Sequence, residues 1–388
     1  MKKILFFISH PTMGGSQQYI LDLVTHLNFN KYIPLIISCF DGEFIRLLEE
    51  NKIKTFILPM KKEYVNIKKN VKFFNPISVI LFFINICKVM LNIYNLIKKE
   101  KIDLIYNNNL RCQILSLIPS KLTKIPSLWH IHGFREKIFL HLFLSFFVNK
   151  IIVLSEDVKK RLGKFLLNKS KLVVIYNGVN FQKIKKIEEQ EKINIRKEIE
   201  IEKNDFVIAM IGQLVPIKGY EYFIKSAFHI LKEIPNTKFL IVGDEPYYSK
   251  GYKLSLQELI EKLNLKKNVI FIEYQKDLFK IISILDIFTL TSIHEHFGRV
   301  IIEAMACKIP VIAFNTGGVS EIIIDNKTGF LIEPNNYKKL AKKIIELLKN
   351  NEMKNNFGNA GFKRVNELFN LNETIKKVEE LFENLGVK

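Results

Sequence analysis

Cysteine, arginine and tryptophan are all scarce in this chain, and the first two shortages remove whole classes of function. Its 388 residues contain four cysteines, Cys39, Cys87, Cys112 and Cys307, far apart in sequence, with no CxxC pair and no histidine at metal-ligand spacing. That pattern excludes a disulfide scaffold and a zinc module, and the four read as reduced, mostly buried residues of a cytosolic protein. Only seven of the 59 basic residues are arginine. Without a zinc knuckle or a stacked aromatic motif beside them, a net charge of +20 does not make a nucleic-acid binder, and no nucleic-acid partner is expected. Much of the excess reflects a composition rich in lysine, isoleucine and asparagine. A hydrophobic fraction of 48% and a charged fraction of 25% are ordinary for a globular protein, so disordered and fibrous classes are excluded as well.

The length suits two domains of nearly two hundred residues each. The first nine residues resemble a signal peptide, but their apolar run is only five residues and a turn follows at once, so a buried first strand explains them better. One local feature survives the charge argument. Residues 61–101 carry nine lysines against two glutamates, around a stretch, 76–97, whose only charge is Lys88. That stretch is long enough to span a bilayer, yet Asn85, Lys88, Asn92 and Asn95 recur through it, and charge inside a membrane is costly. Peripheral docking on an anionic membrane surface is the expectation, with an amphipathic helix buried against a sheet as the alternative.

Short apolar runs alternate with helical-period segments from the start. A strand at 4–9 is followed by a Gly14-Gly15 loop and a helix over 16–27, in which Tyr19, Ile20, Leu23, Val24 and Leu27 share one face. Further strand-like runs fall at 33–38, 55–58, 102–106, 127–131, 151–154 and 172–175, the pattern of a parallel α/β sheet. After a lysine- and glutamate-rich surface helix the alternation restarts, with strands at 206–211, 239–242, 269–272, 287–290 and 311–313. A second doubly wound sheet therefore begins near residue 206, or a little earlier if the linker helix belongs to it. From residue 336 onward the pattern is helical only, with Leu340, Ile344, Ile345, Leu347 and Leu348 on one stripe and a bend allowed at Gly358 and Gly361. The boundaries follow: residues 1–178 as one Rossmann-like lobe, 179–360 as a second, and 361–388 as a C-terminal helix packing back toward the first.

In such sheets ligands bind beyond the carboxyl ends of the strands. The loop His10-Pro11-Thr12-Met13-Gly14-Gly15-Ser16 lies between strand and helix, where glycines let the backbone approach an anion at a helix N-terminus. It lacks the GxGxxG spacing of dinucleotide binders. In the second lobe, residues 211–219, with Gly212, Gln213 and Lys218, again join strand to helix. A lysine beside an electropositive helix terminus conflicts with the macrodipole unless an anion sits between them. The most specific segment is Glu295-His296-Phe297-Gly298-Arg299-Val300-Ile301-Ile302-Glu303. With a helix starting near Gly298, Glu303 falls in its second turn, and two carboxylates at this spacing suit the hydroxyls of a sugar and a ribose.

These residues resemble the large family of retaining nucleotide-sugar glycosyltransferases with the GT-B fold, group 1 or family four. The similarity runs through nearly the whole length and is strongest from 206 to 334. Glu295 and Glu303 meet the family's E-x7-E signature, and Gly317-Gly318-Val319-Ser320-Glu321 and Thr328-Gly329-Phe330 match its GG-x-x-E and TG-F elements. The resemblance implies two Rossmann-like parallel-sheet lobes facing across a cleft, with the donor held mainly by the second and the acceptor bound by the first. Glu303 would hold the ribose, Glu295 the transferred sugar and Lys218 the diphosphate, which Gly15, next to Gly14, would meet from the first lobe. Gly212, Gln213, Phe297, Gly298, Arg299 and Val300 complete the donor set, and Tyr274, after the strand at 269–272, is a candidate for the base. His132, in Trp129-His130-Ile131-His132-Gly133, matches the histidine that similar enzymes place beside the donor sugar, and His130 is expected on the opposite strand face. Catalytic roles thus go to His132 and Glu295.

Two positions depart from the family. Gln213 stands where arginine is common, and Arg299 is the candidate to compensate. His296 stands where glycine or proline is usual, and its size would narrow the sugar pocket. No DxD-like carboxylate pair is evident, so no metal and no cofactor are expected, and Lys218, Arg299 and helix N-termini would stabilise the leaving diphosphate. Retention, attack from the leaving-group face with the diphosphate as base, and lobe closure that excludes water all follow from the resemblance. The competing readings are a nucleotide-sugar epimerase on the same fold and a sugar- or nucleotide-binding protein without turnover. The expected acceptor is a carbohydrate or lipid-linked glycan, as in capsule or lipopolysaccharide assembly, handled by a cytoplasmic enzyme peripheral to the inner face of the membrane.

Overall fold

The computed structural model describes residues 1–9, 14–58, 76–133, 138–185, 187–275 and 277–387. Residues 10–13 of the first glycine loop and the lysine-rich 61–75 lie outside them. The described chain divides into two compact units, Met1–Tyr176 with Asn372–Lys388, and Asn177–Leu371.

In the first unit the order along the chain is β1 Lys2–Ile8, α1 Gly15–His26, β2 Tyr32–Ser38, α2 Glu43–Glu50, β3 Lys54–Ile57, α3 Pro76–Glu100, β4 Leu104–Asn107, α4 Leu110–Thr123, β5 Ser127–Ile131, α5 Ile138–Ser145, β6 Lys150–Val153, α6 Glu156–Gly163 and β7 Leu172–Val174. Every neighbouring pair is parallel, in the order β3-β2-β1-β4-β5-β6-β7. Central strands covered on both faces must be apolar on both, which is why β1 reads as an unbroken hydrophobic run with all of residues 4–8 buried. One face packs Leu5, Leu35, Ile37 and Ile105 against Val89, Ile93 and Ile97 of α3 and Cys112 and Leu115 of α4. The same layer continues where Trp129, Ile131, Ile151 and Val153 meet Leu144 of α5 and Val158 and Leu162 of α6.

The second unit runs α7 Glu189–Glu198, β8 Phe206–Ile211, α8 Tyr220–Ile230, β9 Thr237–Val242, α9 Tyr252–Lys262, β10 Val269–Ile272, α10 Leu278–Ile282, β11 Ile287–Leu290, α11 Arg299–Ala306, β12 Val311–Phe314, α12 Val319–Ile322, β13 Gly329–Ile332, α13 Tyr337–Lys349 and α14 Asn351–Leu368. Its strands are parallel in the order β10-β9-β8-β11-β12-β13. The linker helix α7 belongs to this unit: Arg196 donates to the Asp205 carbonyl at 3.1 Å and to the Ile284 carbonyl at 3.1 Å. The last helix, α15 Leu371–Asn384, belongs to the first unit, where Phe382 meets Tyr32 at 5.5 Å and the Thr374 hydroxyl donates to the Tyr176 carbonyl at 3.0 Å.

Three local expectations are corrected. Strand β13 was not read from the sequence, because a four-residue edge strand opening on Gly329 is too short to show alternation. Gly358 and Gly361 do not bend a helix; α14 passes through both without a break, and a Cβ on Gly358 would lie 2.2 Å from the Lys308 carbonyl oxygen. They are glycines because α14 sits close against the end of α11. Cys87, expected among the buried cysteines, is exposed on α3.

Candidate functional site

Both sheet orders reverse direction at one place, between β1 and β4 in the first and between β8 and β11 in the second. Loops leaving adjacent strands on opposite sides of such a switch point diverge and open a crevice. In the second unit these are the loops after β8 and β11, which carry Lys218 and Glu295.

Residues 216–218 form a single 3-10 turn and Gly219 caps α8 with φ 69°. A Cβ at Gly219 would stand 2.4 Å from the Thr291 carbonyl oxygen, so glycine here is required by both torsion and contact. The Thr291 hydroxyl donates to the Gly219 carbonyl at 2.8 Å, and the Ile293 N–H to the Ile217 carbonyl at 2.9 Å, stitching the two loops together. Across this seam Lys218 Nζ reaches Glu295 Oε2 at 2.6 Å, with the Ser292 hydroxyl donating to the same oxygen at 3.2 Å. Burial pushes the Glu295 carboxyl up, but the Lys218 ammonium, aided by His296 and Ser292, outweighs it and holds the group below the usual carboxylate range. The anion that reconciles Lys218 with its helix terminus is, in this state, the carboxylate of Glu295.

Gly298 caps α11 with φ 92°, where a side chain is strained. Arg299 and Val300 open the helix, and Glu303 follows in the second turn, accepting from Arg299 Nε at 2.9 Å. Each glutamate of the signature is therefore half-buried and paired with its own cation. Phe297 is buried against Phe369 at 5.7 Å, so its backbone rather than its ring is the part a ligand can meet. His296 is half-buried and lies edge-on to His294 at 4.7 Å. The loops after β8, β9 and β10 are tied in turn. Gly243 approaches Gly212 so closely that a Cβ would fall 2.2 Å from its carbonyl oxygen, the Leu214 N–H donates to the Asp244 carbonyl at 2.9 Å, and the Tyr274 N–H donates to Asp244 Oδ1 at 3.2 Å. Gln213 is exposed and accepts from the Tyr248 hydroxyl at 3.0 Å, and the rings of Tyr248 and Tyr274 stand at the surface.

In the first unit the start of α1, the segment after β4 and the end of β5 line, with His141 of α5, a cavity of about 170 Å³ bounded by Ser16, Gln17, Asn108, Trp129 and His132, among others. His132 lies just past the end of β5, its Nε2 2.5 Å from Asn108 Oδ1. An amide oxygen only accepts, so Nε2 carries the proton and Nδ1 does not. Burial pushes the His132 imidazole down to about 3, so it stays neutral at physiological pH. His130 does not face the other way. Its ring is 3.9 Å from that of His132, because residues two apart on a strand share a side, and Tyr106 O–H lies 2.6 Å from its Nδ1. Gly14 caps α1 in extended conformation and Gly15 begins it, with nothing among the described residues within 4 Å of a Cβ built on Gly15.

Sequence reasoning missed Ser292, Asn108 and the cavity-lining Gln17. The run Asn107-Asn108-Asn109, which closes β4 and opens the following loop, was a usable signal for Asn108, since ligands bind beyond the carboxyl ends of parallel strands; nothing in the sequence marks Ser292 or Gln17. Among the described residues, no group of three His, Cys, Asp or Glu is placed to hold a metal ion.

Two parallel sheets of this order, each opening a crevice at its switch point, are an architecture that suits a nucleotide-bearing ligand. The model for glycosyl transferases group 1 matches residues 191–364, and that for glycosyltransferase family 4 matches residues 13–183. An uncharacterized glycosyltransferase of Methanocaldococcus jannaschii is 30% identical over 100% of this chain and 99% of its own. The chain belongs to the group 1, family 4 glycosyltransferases and has their GT-B fold. The UDP-Gal:alpha-D-GlcNAc-diphosphoundecaprenol alpha-1,3-galactosyltransferase of Escherichia coli is 28% identical over 97% of this chain and 95% of its own. A crystal structure of a glycosyltransferase from Rickettsia africae superimposes with a TM-score of 0.86 at 25% identity, covering 99% of this chain and 98% of that one.

Proposed function

We propose that this glycosyltransferase moves a sugar from a nucleoside-diphosphate donor to a carbohydrate or lipid-linked glycan acceptor, with retention and without a metal ion, on the cytoplasmic side of the membrane. The observation that carries the donor assignment is the double ion pair at the second unit's switch point, Lys218–Glu295 at 2.6 Å and Arg299–Glu303 at 2.9 Å. A diphosphate entering there draws Lys218 and Arg299 toward itself and frees both carboxylates to accept hydrogen bonds from hydroxyls, Glu295 from the transferred sugar and Glu303 from the ribose. These two cations, Lys218 before α8 and Arg299 at the start of α11, supply what a metal ion would otherwise supply, stabilising charge on the departing diphosphate. Gln213 adds no charge, so Arg299 takes the place of the arginine common at that position. Tyr248 and Tyr274 offer exposed rings to the base, near Gly212, while Gly298 and the backbone of Phe297 and Val300 let the diphosphate approach closely.

The first unit, on this reading, is the acceptor lobe. Its cavity combines Trp129 with Asn108, Gln17 and the neutral His132, an apolar face ringed by hydrogen-bonding groups as a sugar requires. His132 supplies an uncharged imidazole to the reacting sugar, and Gly14-Gly15 at the N-terminus of α1 suits a phosphate. A lipid-diphosphate acceptor is favoured by the specificity of the Escherichia coli relative.

The test is thermal stabilisation of the full chain by UDP-, GDP-, ADP- and CMP-sugars in EDTA, with Glu303→Ala alongside. One donor raising Tm in the wild type and not in the variant is the expected result. Stabilisation that requires added divalent metal, or is unchanged in Glu303→Ala, would overturn the assignment.

A further inference from the structure

Helix α3 is divided along its length in a way that its place in the core does not explain. Its second half is a core element, with Val89, Ile93, Leu96 and Ile97 buried against the sheet. Its first half is not: Ile80 and Ile84 are each 58% exposed, and the outward side stays uncovered at Leu91, early in the second half, which is 57% exposed. Positions 80, 84, 87 and 91 fall on a single stripe, and Phe83 beside it is also exposed. Single exposed apolar residues are ordinary on a soluble surface, but a stripe three turns long is not. Exposed apolar residues also occur on the neighbouring helices: α3 packs along α4, where Ile118 is 52% and Leu122 66% exposed, and α4 touches α5, where Phe139 is 84% exposed.

The charges on the same layer are of one sign. Lys88, Lys98, Lys99 and Lys101 are exposed on and just after α3, and Lys121 and Lys124 at the end of α4. Residues 76–124 contain two acids, Glu100 and Asp103, and both are neutralised by lysines of the sheet, Lys54 on Glu100 at 3.0 Å and Lys2 on Asp103 at 3.3 Å. A second copy of this chain would bring the same lysines against one another across a two-fold axis, which disfavours self-association here. By length and composition Ser78–Glu100 could cross a membrane. Its last three turns are already committed to the core, however, so the helix can only lie in the plane of an interface.

We propose that the first half of α3, together with α5, is the surface by which this protein seats itself on an anionic lipid bilayer, apolar side chains entering the headgroup–acyl boundary and the lysines contacting lipid phosphates. The proposal does not depend on the donor assignment. Its place in the chemistry is to hold the first unit against the layer in which a lipid-linked acceptor resides.

The experiment is co-sedimentation of the full chain with vesicles of phosphatidylcholine alone and of phosphatidylcholine mixed with phosphatidylglycerol, at low and high salt. Binding to the mixed vesicles only, weakened by salt, is expected. The double variant Ile80→Glu, Ile84→Glu should lower partitioning at least about tenfold, a loss of roughly 1.4 kcal/mol, and Lys98→Ala, Lys99→Ala should flatten the salt dependence. Both pairs are exposed, so Tm and any donor-induced stabilisation should stay at wild-type values, which separates this surface from the sugar site. Equal binding to neutral vesicles, undiminished binding of both variants, or no vesicle binding together with a dimer that the isoleucine variant dissociates would each overturn the proposal.

Discussion

Lys218 and Glu295 show how a residue's role depends on its partner. Alone, a lysine at the mouth of a helix opposes the macrodipole, and a buried glutamate resists ionisation. Set 2.6 Å apart, each makes the other's charge tenable, and a ligand anion can later exchange for the glutamate. His132 is the contrasting case, a group kept neutral by burial. Its imidazole is held at about 3, below the ordinary histidine value. Between that value and about 6.5 the unfolded chain takes up a proton that the folded one refuses. The associated stability is complete above the upper limit and is lost as pH falls toward the lower. His132→Gln, whose amide N–H can still donate to Asn108, should therefore show a shallower fall of Tm between about pH 7 and pH 4 than the wild type. Parallel curves for the two proteins would mean that His132 titrates normally.

At the scale of elements, the site depends on where helices begin and how closely they pack. α11 begins just after Gly298 because only glycine takes φ 92° without strain, and this start places Arg299 and Glu303 one turn apart on the same side. α14 then lies against the end of α11, close enough that Gly358 meets the Lys308 backbone. Gly358→Ala should cost about 2 kcal/mol or more, because a Cβ cannot be accommodated without shifting the helix. In a unit of this size that lowers Tm by roughly 4–8 °C. An unchanged melting curve would show that α14 yields freely.

At the scale of the molecule, the chain does not end where its second sheet ends. α15 completes the first unit: Phe382 is buried between Tyr32 and Tyr106, and Lys31 pairs with Glu383 at 2.8 Å. Phe382→Ala should destabilise by about 3–5 kcal/mol through loss of buried ring area and the cavity left behind. Denaturant unfolding followed by fragment-resolved hydrogen exchange should place the loss in residues 1–176, with residues 177–371 and their donor response unchanged. Loss distributed equally over both units would mean that they unfold as one.

From the amino-acid order alone came the two parallel sheets, nearly every strand, the start of α11 and the E-x7-E segment, because these depend on local periodicity, turn chemistry and spacing, which neighbouring residues carry. Four things were decided only in three dimensions. The pairing of Lys218 with Glu295 joins loops 77 residues apart. The role of Gly358, the closing of Phe382 onto the first sheet and the buried or exposed state of each turn of α3 also rest on contacts between distant segments, whereas the common side of His130 and His132 follows from the strand period alone. Sequence periodicity records which face of a helix is apolar; only the packed sheet determines how far along that face the covering extends, and α3 runs past its edge.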